Sequence, residues 1–384
     1  MSLSSKSCVH DPTMIQADDW WPVEIDGMPD FTMSMKRVYA WYQNQILDRP
    51  PVRFIAHNAF LEAAKQDISA LSRQEKEDWW FNVELQVDLF ERSVAGQRFH
   101  GETFPVFFPN LGPDVYAAFY GARLIFGDVT SWSEPLVRDW AQIDDIHLDM
   151  DNIYYQKIEQ LTRHALERCS GKFLVGYTDL HPGLDCAAAW RDPLQLCFDL
   201  VDCPDQVRRL AELAIQDFER IYDHFDRILK EAGQLSVSWM GIPSFGRMHI
   251  PSCDFSAMIS PTSFQEFGLP VLQREVQSMS HNVFHVDGRG VAKHLETILS
   301  VPEVNALQWV QGVGTDYAII QWIPFIKKLQ GRGIPLIVDL NPAELEEFIA
   351  RMDPHGLFLW MATNGEEQEL DILERLNRWT GAAV

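Results

Sequence analysis

Apolar residues recur every three to four positions in many segments of this chain, which is the pattern of amphipathic helices. Clear examples are MSMKRVYAWYQNQI near the N-terminus, the stretch 72–96 and the stretch 203–233. From residue 170 onward, such segments alternate with short β-type apolar runs such as IPLIVDL and LFLWMAT. Short strands separated by helices predict a parallel sheet with right-handed crossovers.

The number of repeats within 384 residues favours a closed (β/α)8 TIM barrel over an open doubly wound sheet. The chain has neither a GxGxxG turn after an early strand nor a Walker A sequence, which argues against a dinucleotide-binding or P-loop fold. We expect residues 1–44 to form an N-terminal extension with a helix, and residues 45–384 to form a single barrel domain.

The net charge of −23 argues against nucleic acid and anionic membranes as partners, because both are recognised through Lys and Arg. Six cysteines are scattered without a CxxC pair, as expected of a reduced protein without disulfides. The first residues contain no apolar segment typical of a signal peptide, and no apolar run approaches 18 residues. We therefore expect a cytoplasmic protein that acts on a small-molecule substrate.

The segment HNVFHVDGRG carries the strongest candidate chemistry. His285 and Asp287 would point to the same side of a strand, just before a break at Gly288. In a TIM barrel, reactive groups lie at the carboxyl ends of strands. The pair can bind a divalent metal such as zinc, with Cys253 as a further candidate ligand, or it can transfer protons. For Cys253, an inert buried thiol is the alternative.

Other polar and aromatic residues fall at predicted strand ends and are candidate substrate-binding residues. Each has a structural alternative: polar groups that end a strand or begin a helix, and tryptophans that pack in the core. Asp254 and Asp339 are better interpreted as caps or loop residues. The substrate-binding candidates are His57, Asn58, Tyr177, Asp179, His181, Trp239, Trp309 and Trp360.

Four stretches carry a resemblance to a known family: CFDLVDCPDQVRRL, ISPTSFQEFGLPVLQREV, FHVDG and LWMATNGEEQELDILERLNRW. Over roughly residues 45–380 the chain resembles the uroporphyrinogen decarboxylase superfamily. That superfamily includes the decarboxylase and zinc-dependent methyltransferases that use a corrinoid. The resemblance implies a distorted (β/α)8 barrel, a homodimer and a corrinoid supplied by a partner protein.

The chain departs from both branches of this family at informative positions. In RPPVRFIAHNAF, Ala56 and Phe60 stand where the decarboxylase has arginines that hold substrate propionates, which argues against uroporphyrinogen as substrate. The methyltransferases bind zinc through HxC and a later cysteine, where this chain has Asp287 and, near the second position, Thr363 and Asn364. The resemblance therefore implies a metal site with harder ligands.

Three functions follow from these features. The leading hypothesis is a methyltransferase that moves a methyl group between a corrinoid cofactor and a small substrate, with His285 and Asp287 as catalytic residues. The second is a decarboxylase of uroporphyrinogen or of another carboxylated substrate. The third is a non-catalytic small-molecule binder on the same barrel, which the changed ligands suggest.

Overall fold

A computed structural model of the chain describes residues 17–56, 68–312 and 314–381. Its central element is a curled sheet of six strands, in which every neighbouring pair is parallel. The strands are β1 (Val52–Ala56), β2 (Val106–Phe107), β3 (Leu124–Phe126), β4 (Ser131–Ser133), β5 (Leu174–Val175), β6 (Met248–His249), β7 (His281–Asp287), β8 (Ala306–Val310), β9 (Leu336–Asp339) and β10 (Leu357–Thr363). The order in the large sheet is β1-β10-β9-β8-β7-β6, while β2 pairs with β5 and β3 with β4.

Helices separate and cover these strands, so the predicted alternation of helix and strand is present. In the described part of the chain, no helix combines the length and the apolar character needed to cross a bilayer. The α-helices are Phe31–Tyr42, Arg73–Trp80, Val83–Val94, Val115–Ala118, Ile153–Arg168, Leu184–Arg191, Pro193–Asp202, Pro204–Gln216, Phe218–Glu231, Pro261–Ser263, Leu269–Val276, Gly288–Ala292, Leu295–Ile298, Ile323–Gln330, Leu345–Arg351 and Glu366–Thr380. Short 3₁₀ helices are Ala17–Asp19, Trp140–Asp145, Asp254–Met258, Gly314–Asp316, Ile319–Trp322 and Pro342–Glu344, and Phe264–Gly268 is a π-helical turn.

The described strands do not close into the eight-stranded cylinder that the sequence predicts. Between β5 and β6, Ser236 forms an antiparallel bridge with Ser244 across a turn at Gly241, whose φ is +63°. The backbone N–H and C=O groups of Ser236 and Ser244 hydrogen-bond to each other. In a regular parallel strand, such groups would hydrogen-bond to the neighbouring strands. The sheet is therefore a curled half-barrel, consistent with a distorted TIM-like fold.

Side chains alternate between two cores along each strand of the sheet. Phe284 of β7, Val338 of β9 and Leu359 of β10 face an outer core beneath the helices. Val283 and Ile337, which lie on the opposite side of their strands, face an inner core. Parity along a strand therefore decides which side chains reach the interior of the curled sheet.

The helix Phe31–Tyr42 packs against the amino ends of the strands. Trp41 meets Phe358 edge-on with ring centroids 5.4 Å apart, and Tyr42 stacks on His281 at 4.0 Å. Phe358 and His281 lie at the amino ends of β10 and β7. Aromatic packing thus fills the amino end, and the polar strand ends lie at the opposite, carboxyl end.

The stretch 72–96 forms two helices where its sequence predicts one. A capping box lies at its start: Glu75 N–H donates to Ser72 Oγ, and Ser72 N–H donates to Glu75 Oε2. The helix ends at Trp80, and Asn82 begins the next one by accepting the Leu85 N–H at 3.1 Å. An asparagine that caps a new helix explains the break.

Candidate metal centre and active site

His285 and Asp287 lie together at the carboxyl end of β7, on its inner side. With Asp254 they form a group whose candidate ligand atoms all lie within 4.8 Å of one another. His285 is partly buried, while Asp254 and Asp287 are exposed. This group, the Asp254–His285–Asp287 cluster, brings one imidazole nitrogen and two carboxylates to the mouth of the curled sheet.

The imidazole of His285 is held from two sides. Its Nδ1 lies 2.6 Å from Oε1 of Gln308, which is its neighbour in register on β8. The ring of Trp239 meets it edge-on, with centroids 5.3 Å apart. Because the amide oxygen is an acceptor, Nδ1 carries the ring proton and the lone pair is on Nε2. Nε2 is therefore the nitrogen that a metal or a proton would take.

Asp254 enters the cluster from the 3₁₀ turn Asp254–Met258. The two carboxylate oxygens of Asp185 accept the backbone N–H groups of Asp254 and Phe255, at 3.0 and 2.9 Å. Burial and the negative charge of Asp254 raise the pKa of Asp185 to about 6. Asp185 thus fixes the backbone of this turn and leaves the Asp254 side chain to the cluster.

Asp179 and His181 form an ion pair beside the cluster, with Asp179 Oδ1 2.8 Å from His181 Nε2. Burial disfavours the charge on His181, but the carboxylates of Asp179, Asp185 and Asp254 outweigh that effect. Together they raise the pKa of His181 to about 10. His181 is consequently an imidazolium at neutral pH, and its buried Nδ1 has no partner among the described residues.

A cavity of about 540 Å³ adjoins the cluster. Asp254 and His181 lie on its polar side, and Trp132 and Met258, both about half exposed, lie at its apolar walls. A cavity of this size suits a small molecule. We call it the Asp254 cavity.

A second cavity, of about 640 Å³, lies beyond the carboxyl ends of β9 and β10, with Asp339 and Trp360 in its lining. Arg53 of β1 places its guanidinium 4.8 Å from the centre of the Trp360 ring and donates to the Met240 carbonyl. Burial lowers the pKa of Arg53 to about 10 against the opposing effect of Asp339. Burial also raises the pKa of Asp339 to about 6, although His285 and Arg53 lower it. We call this second space the Asp339 cavity.

The remaining sequence candidates are more deeply placed. Tyr177 is 1% exposed and donates its hydroxyl to the Met248 carbonyl at 2.8 Å. Trp309 lies on the outer side of β8 and packs against Trp322 and Phe325. Core packing accounts for both residues, whereas Trp239 and Trp360 lie on the inner side with the polar groups.

Cys253 is buried in the outer core and is not a member of the Asp254–His285–Asp287 cluster. Burial and then the negative charge of Asp185 raise the pKa of its thiol well above the usual value. The candidates His57 and Asn58 lie outside the described residues. Thr363 donates its hydroxyl to Glu369 at 3.0 Å, on the side of β10 that faces the outer core.

Three residues of the site are absent from the sequence-based candidates: Arg53, Gln308 and Asp254. Arg53 interrupts the apolar run VRFIA, and a charged residue within a strand is a detectable signal. Gln308 interrupts ALQWV in the same way. Asp254 carries no comparable signal, because its approach to β7 depends on how residues 236–252 fold.

No family model matches this sequence, and no curated protein matches it. Among solved structures, the fold is similar to that of a methyltransferase from Methanosarcina mazei, with a TM-score of 0.59 and 13% sequence identity. The match covers 91% of this chain and 99% of that one. At this identity the likeness is one of fold, and it extends over nearly the whole chain.

Proposed function

We propose that this protein is a methyltransferase that moves a methyl group between a corrinoid cofactor, held by a partner protein, and a small substrate. The observation that carries the proposal is the Asp254–His285–Asp287 cluster at the carboxyl end of β7. Barrel enzymes place their chemistry at this end of the strands. The fold similarity to a methyltransferase supports the choice of reaction.

The donor atoms of the cluster fit a divalent metal. His285 offers the lone pair of Nε2, since Gln308 occupies Nδ1, and Asp254 and Asp287 offer carboxylate oxygens. A metal bound there would supply a Lewis acid that lowers the pKa of a substrate thiol or hydroxyl. Gln308 keeps the imidazole in one tautomer and orientation, which is the usual role of a group that hydrogen-bonds a ligating histidine.

The Asp254 cavity is the proposed substrate site. Its apolar walls, which include Trp132 and Met258, offer hydrophobic surface that a bound molecule would cover. His181 holds a proton at the polar wall, because Asp179 pairs with its Nε2 and stabilises its charge. His181 is thus available to donate a hydrogen bond, or a proton, to a substrate heteroatom.

The test is a spectral titration of the full-length, metal-loaded protein with methylcobalamin, followed by addition of small thiols. Demethylation of the cobalamin is expected for the natural chain, and loss of turnover for His285→Ala and Asp287→Asn. A matched control is Asp353→Asn, because Asp353 and His355 form an exposed Asp–His pair, 2.7 Å apart, before β10. A spectrum that never changes, even with a corrinoid partner protein present, would exclude the reaction.

Decarboxylation of a carboxylated substrate is a second candidate, and Arg53 is the observation that favours it. Among the described residues no carboxylate forms an ion pair with Arg53, and its partner is the Met240 carbonyl. A buried guanidinium that no carboxylate of the described residues contacts directly is suited to holding a substrate carboxylate. Incubation with uroporphyrinogen, followed by product fluorescence, tests this candidate; turnover that Arg53→Met abolishes would support it over methyl transfer.

A further inference from the structure

The ligand set of the cluster differs in kind from the thiolate site of the methyltransferases that the sequence resembles. It contains one imidazole and two carboxylates, and its third member comes from the turn at Asp254 and not from Cys253. Cys253 is 7% exposed and packs among apolar side chains. Adjacent residues in this turn therefore face in different directions, one toward the core and one toward the cluster.

Both carboxylates of the cluster are available to a cation. Among the described side chains, the hydrogen-bond contact of Asp254 Oδ1 is a long one, 3.4 Å from the Ser252 hydroxyl. Within the described part of the chain, Asp287 has no hydrogen-bond or ion-pair partner, and the nearby Arg289 pairs with Asp316. Two carboxylates held this close repel each other, and a cation bound between them would remove that repulsion.

The third donor adds an independent indication of a metal. His285 is fixed through Nδ1 by Gln308, a residue that is 2% exposed. A buried amide that hydrogen-bonds one ring nitrogen of an imidazole beside two carboxylates is the arrangement expected around a ligating histidine. Its presence distinguishes this cluster from an ordinary group of acidic surface residues.

We propose that Asp254, His285 and Asp287 form a three-ligand site for an oxygen-preferring divalent cation of the manganese or iron(II) type. Mn²⁺ prefers carboxylate and water oxygens, Fe²⁺ also accepts imidazole, and thiolate ligands would favour zinc. Three protein ligands leave positions open for water or substrate. The assignment of the site to catalysis rests on the proposed function, but cation binding itself does not.

The test is a titration of the chelator-treated full-length chain with Mn²⁺, followed by electron paramagnetic resonance of the free ion. We expect one Mn²⁺ per chain, and a loss of affinity of at least about tenfold in Asp254→Asn. Cys253→Ser and Asp353→Asn should bind Mn²⁺ like the natural chain. Thermal unfolding without metal shows whether each variant is folded. The absence of Mn²⁺ binding, or a loss caused by Cys253→Ser and not by Asp254→Asn, would overturn the proposal.

A second variant tests the class of cation. Asp287→Cys restores a thiolate at the position where the related methyltransferases have one, so it should shift the ratio of the Zn²⁺ and Mn²⁺ dissociation constants toward zinc by at least about tenfold. A natural chain that already prefers zinc as strongly as this variant would contradict the proposal. These titrations contain no corrinoid, so intact cation binding without methyl transfer would count against the proposed function alone.

Discussion

Nδ1 of His285 and Oε1 of Gln308 lie 2.6 Å apart on neighbouring parallel strands. The two residues are partners in register, so the sheet itself sets their separation. Gln308 is almost fully buried at 2% exposure, whereas His285 is partly exposed. A buried acceptor on a neighbouring strand therefore orients the imidazole of the Asp254–His285–Asp287 cluster, and the orientation needs no flexible loop.

Removing this acceptor should weaken metal binding without unfolding the protein. Gln308→Leu leaves the His285 ring free to rotate and to exchange tautomers, and we expect Mn²⁺ affinity to fall about 10–100-fold. Gln308→Glu keeps an acceptor and should retain binding. Isothermal titration calorimetry measures both variants. Gln330→Leu is the control, because Gln330 donates to backbone carbonyls near the amino end of β10; equal losses in both leucine variants would contradict a specific role for Gln308.

Asp339 should make the protein less stable as pH rises through the acidic range. Its pKa is raised from 3.8 to about 6 in the folded chain, so the folded state binds the proton more tightly than the unfolded state. The free energy of unfolding therefore falls between about pH 4 and pH 6. Asp339→Asn removes this loss and should be more stable than the natural chain at pH 7.5, by about 1–3 kcal/mol, with no difference at pH 4.

Urea denaturation at both pH values measures the effect of Asp339→Asn. Asp205→Asn is the control, since the Asp205 side chain is 97% exposed and should show no such pH dependence. A carboxylate kept at a cost in stability is typical of a functional site. An Asp339→Asn variant that is less stable than the natural chain at pH 7.5 would show that its interactions with Arg53 and His285 outweigh its burial.

The sequence predicts which side chains face the interior of the sheet better than it predicts which residues at the strand ends line the pocket. Alternation alone places His285 and Asp287 on one side of β7, and the structure has them there. The same rule applied to β8 puts Trp309 opposite Gln308, hence in the outer core and away from the pocket. A tryptophan at the end of a strand therefore predicts a pocket only when the alternation of side chains also places it on the inner side of the sheet.

Long-range geometry explains what the sequence could not provide. Asp254 reaches β7 because Asp185, which is 69 residues earlier in the chain, binds the backbone of its turn. No local pattern encodes that contact. Similarly, the expectation of a closed cylinder follows from counting repeats, while the antiparallel bridge of Ser236 with Ser244 depends on the turn at Gly241.

The charge of His181 should depend on Asp179. Asp179→Asn removes the ion pair, while the burial that disfavours the charge on His181 remains. The pKa of His181, which is about 10 in the natural chain, should therefore fall by more than about one unit. Nuclear magnetic resonance titration of the histidine C–H signals, assigned with His181→Gln, measures the change. Asp192→Asn is the control, because Asp192 lines the same cavity but caps the helix Pro193–Asp202. An unchanged pKa in Asp179→Asn would show that other carboxylates hold the proton.

The same pair gives a second, stability-based measurement. The pKa of His181 is raised from 6.5 to about 10 on folding, so its contribution to stability is complete below pH 6.5. That contribution is lost as the pH rises through about 10. The natural chain should therefore be more stable than His181→Gln by the largest margin near pH 6. A margin that grows toward pH 10 would contradict the assignment of His181 as an imidazolium.

At the amino end of the strands, Glu102 links the helix Phe31–Tyr42 to the sheet through hydrogen bonds. Its side chain is fully buried and accepts hydrogen bonds from Arg49 at 2.8 and 3.1 Å, from Arg37 at 3.3 Å and from the Val52 N–H at 2.7 Å. Arg37 belongs to the helix Phe31–Tyr42, and Val52 begins β1. One buried carboxylate thus pairs with Arg49 and, together with Asp48, with Arg37, and it joins the helix Phe31–Tyr42 to β1.

Glu102→Gln should be strongly destabilising, because it removes the carboxylate that pairs with the buried Arg49. We expect a loss of about 3–5 kcal/mol in the free energy of unfolding. The control Glu134→Gln removes a half-exposed partner of Arg73 and Arg123 and should cost about 0–1 kcal/mol. Guanidinium denaturation compares the two. The folded Glu102→Gln variant should bind Mn²⁺ with the same affinity as the natural chain, because Glu102 lies at the end of the sheet opposite to the Asp254–His285–Asp287 cluster. A loss of Mn²⁺ affinity in this variant would show that the two ends of the sheet are coupled.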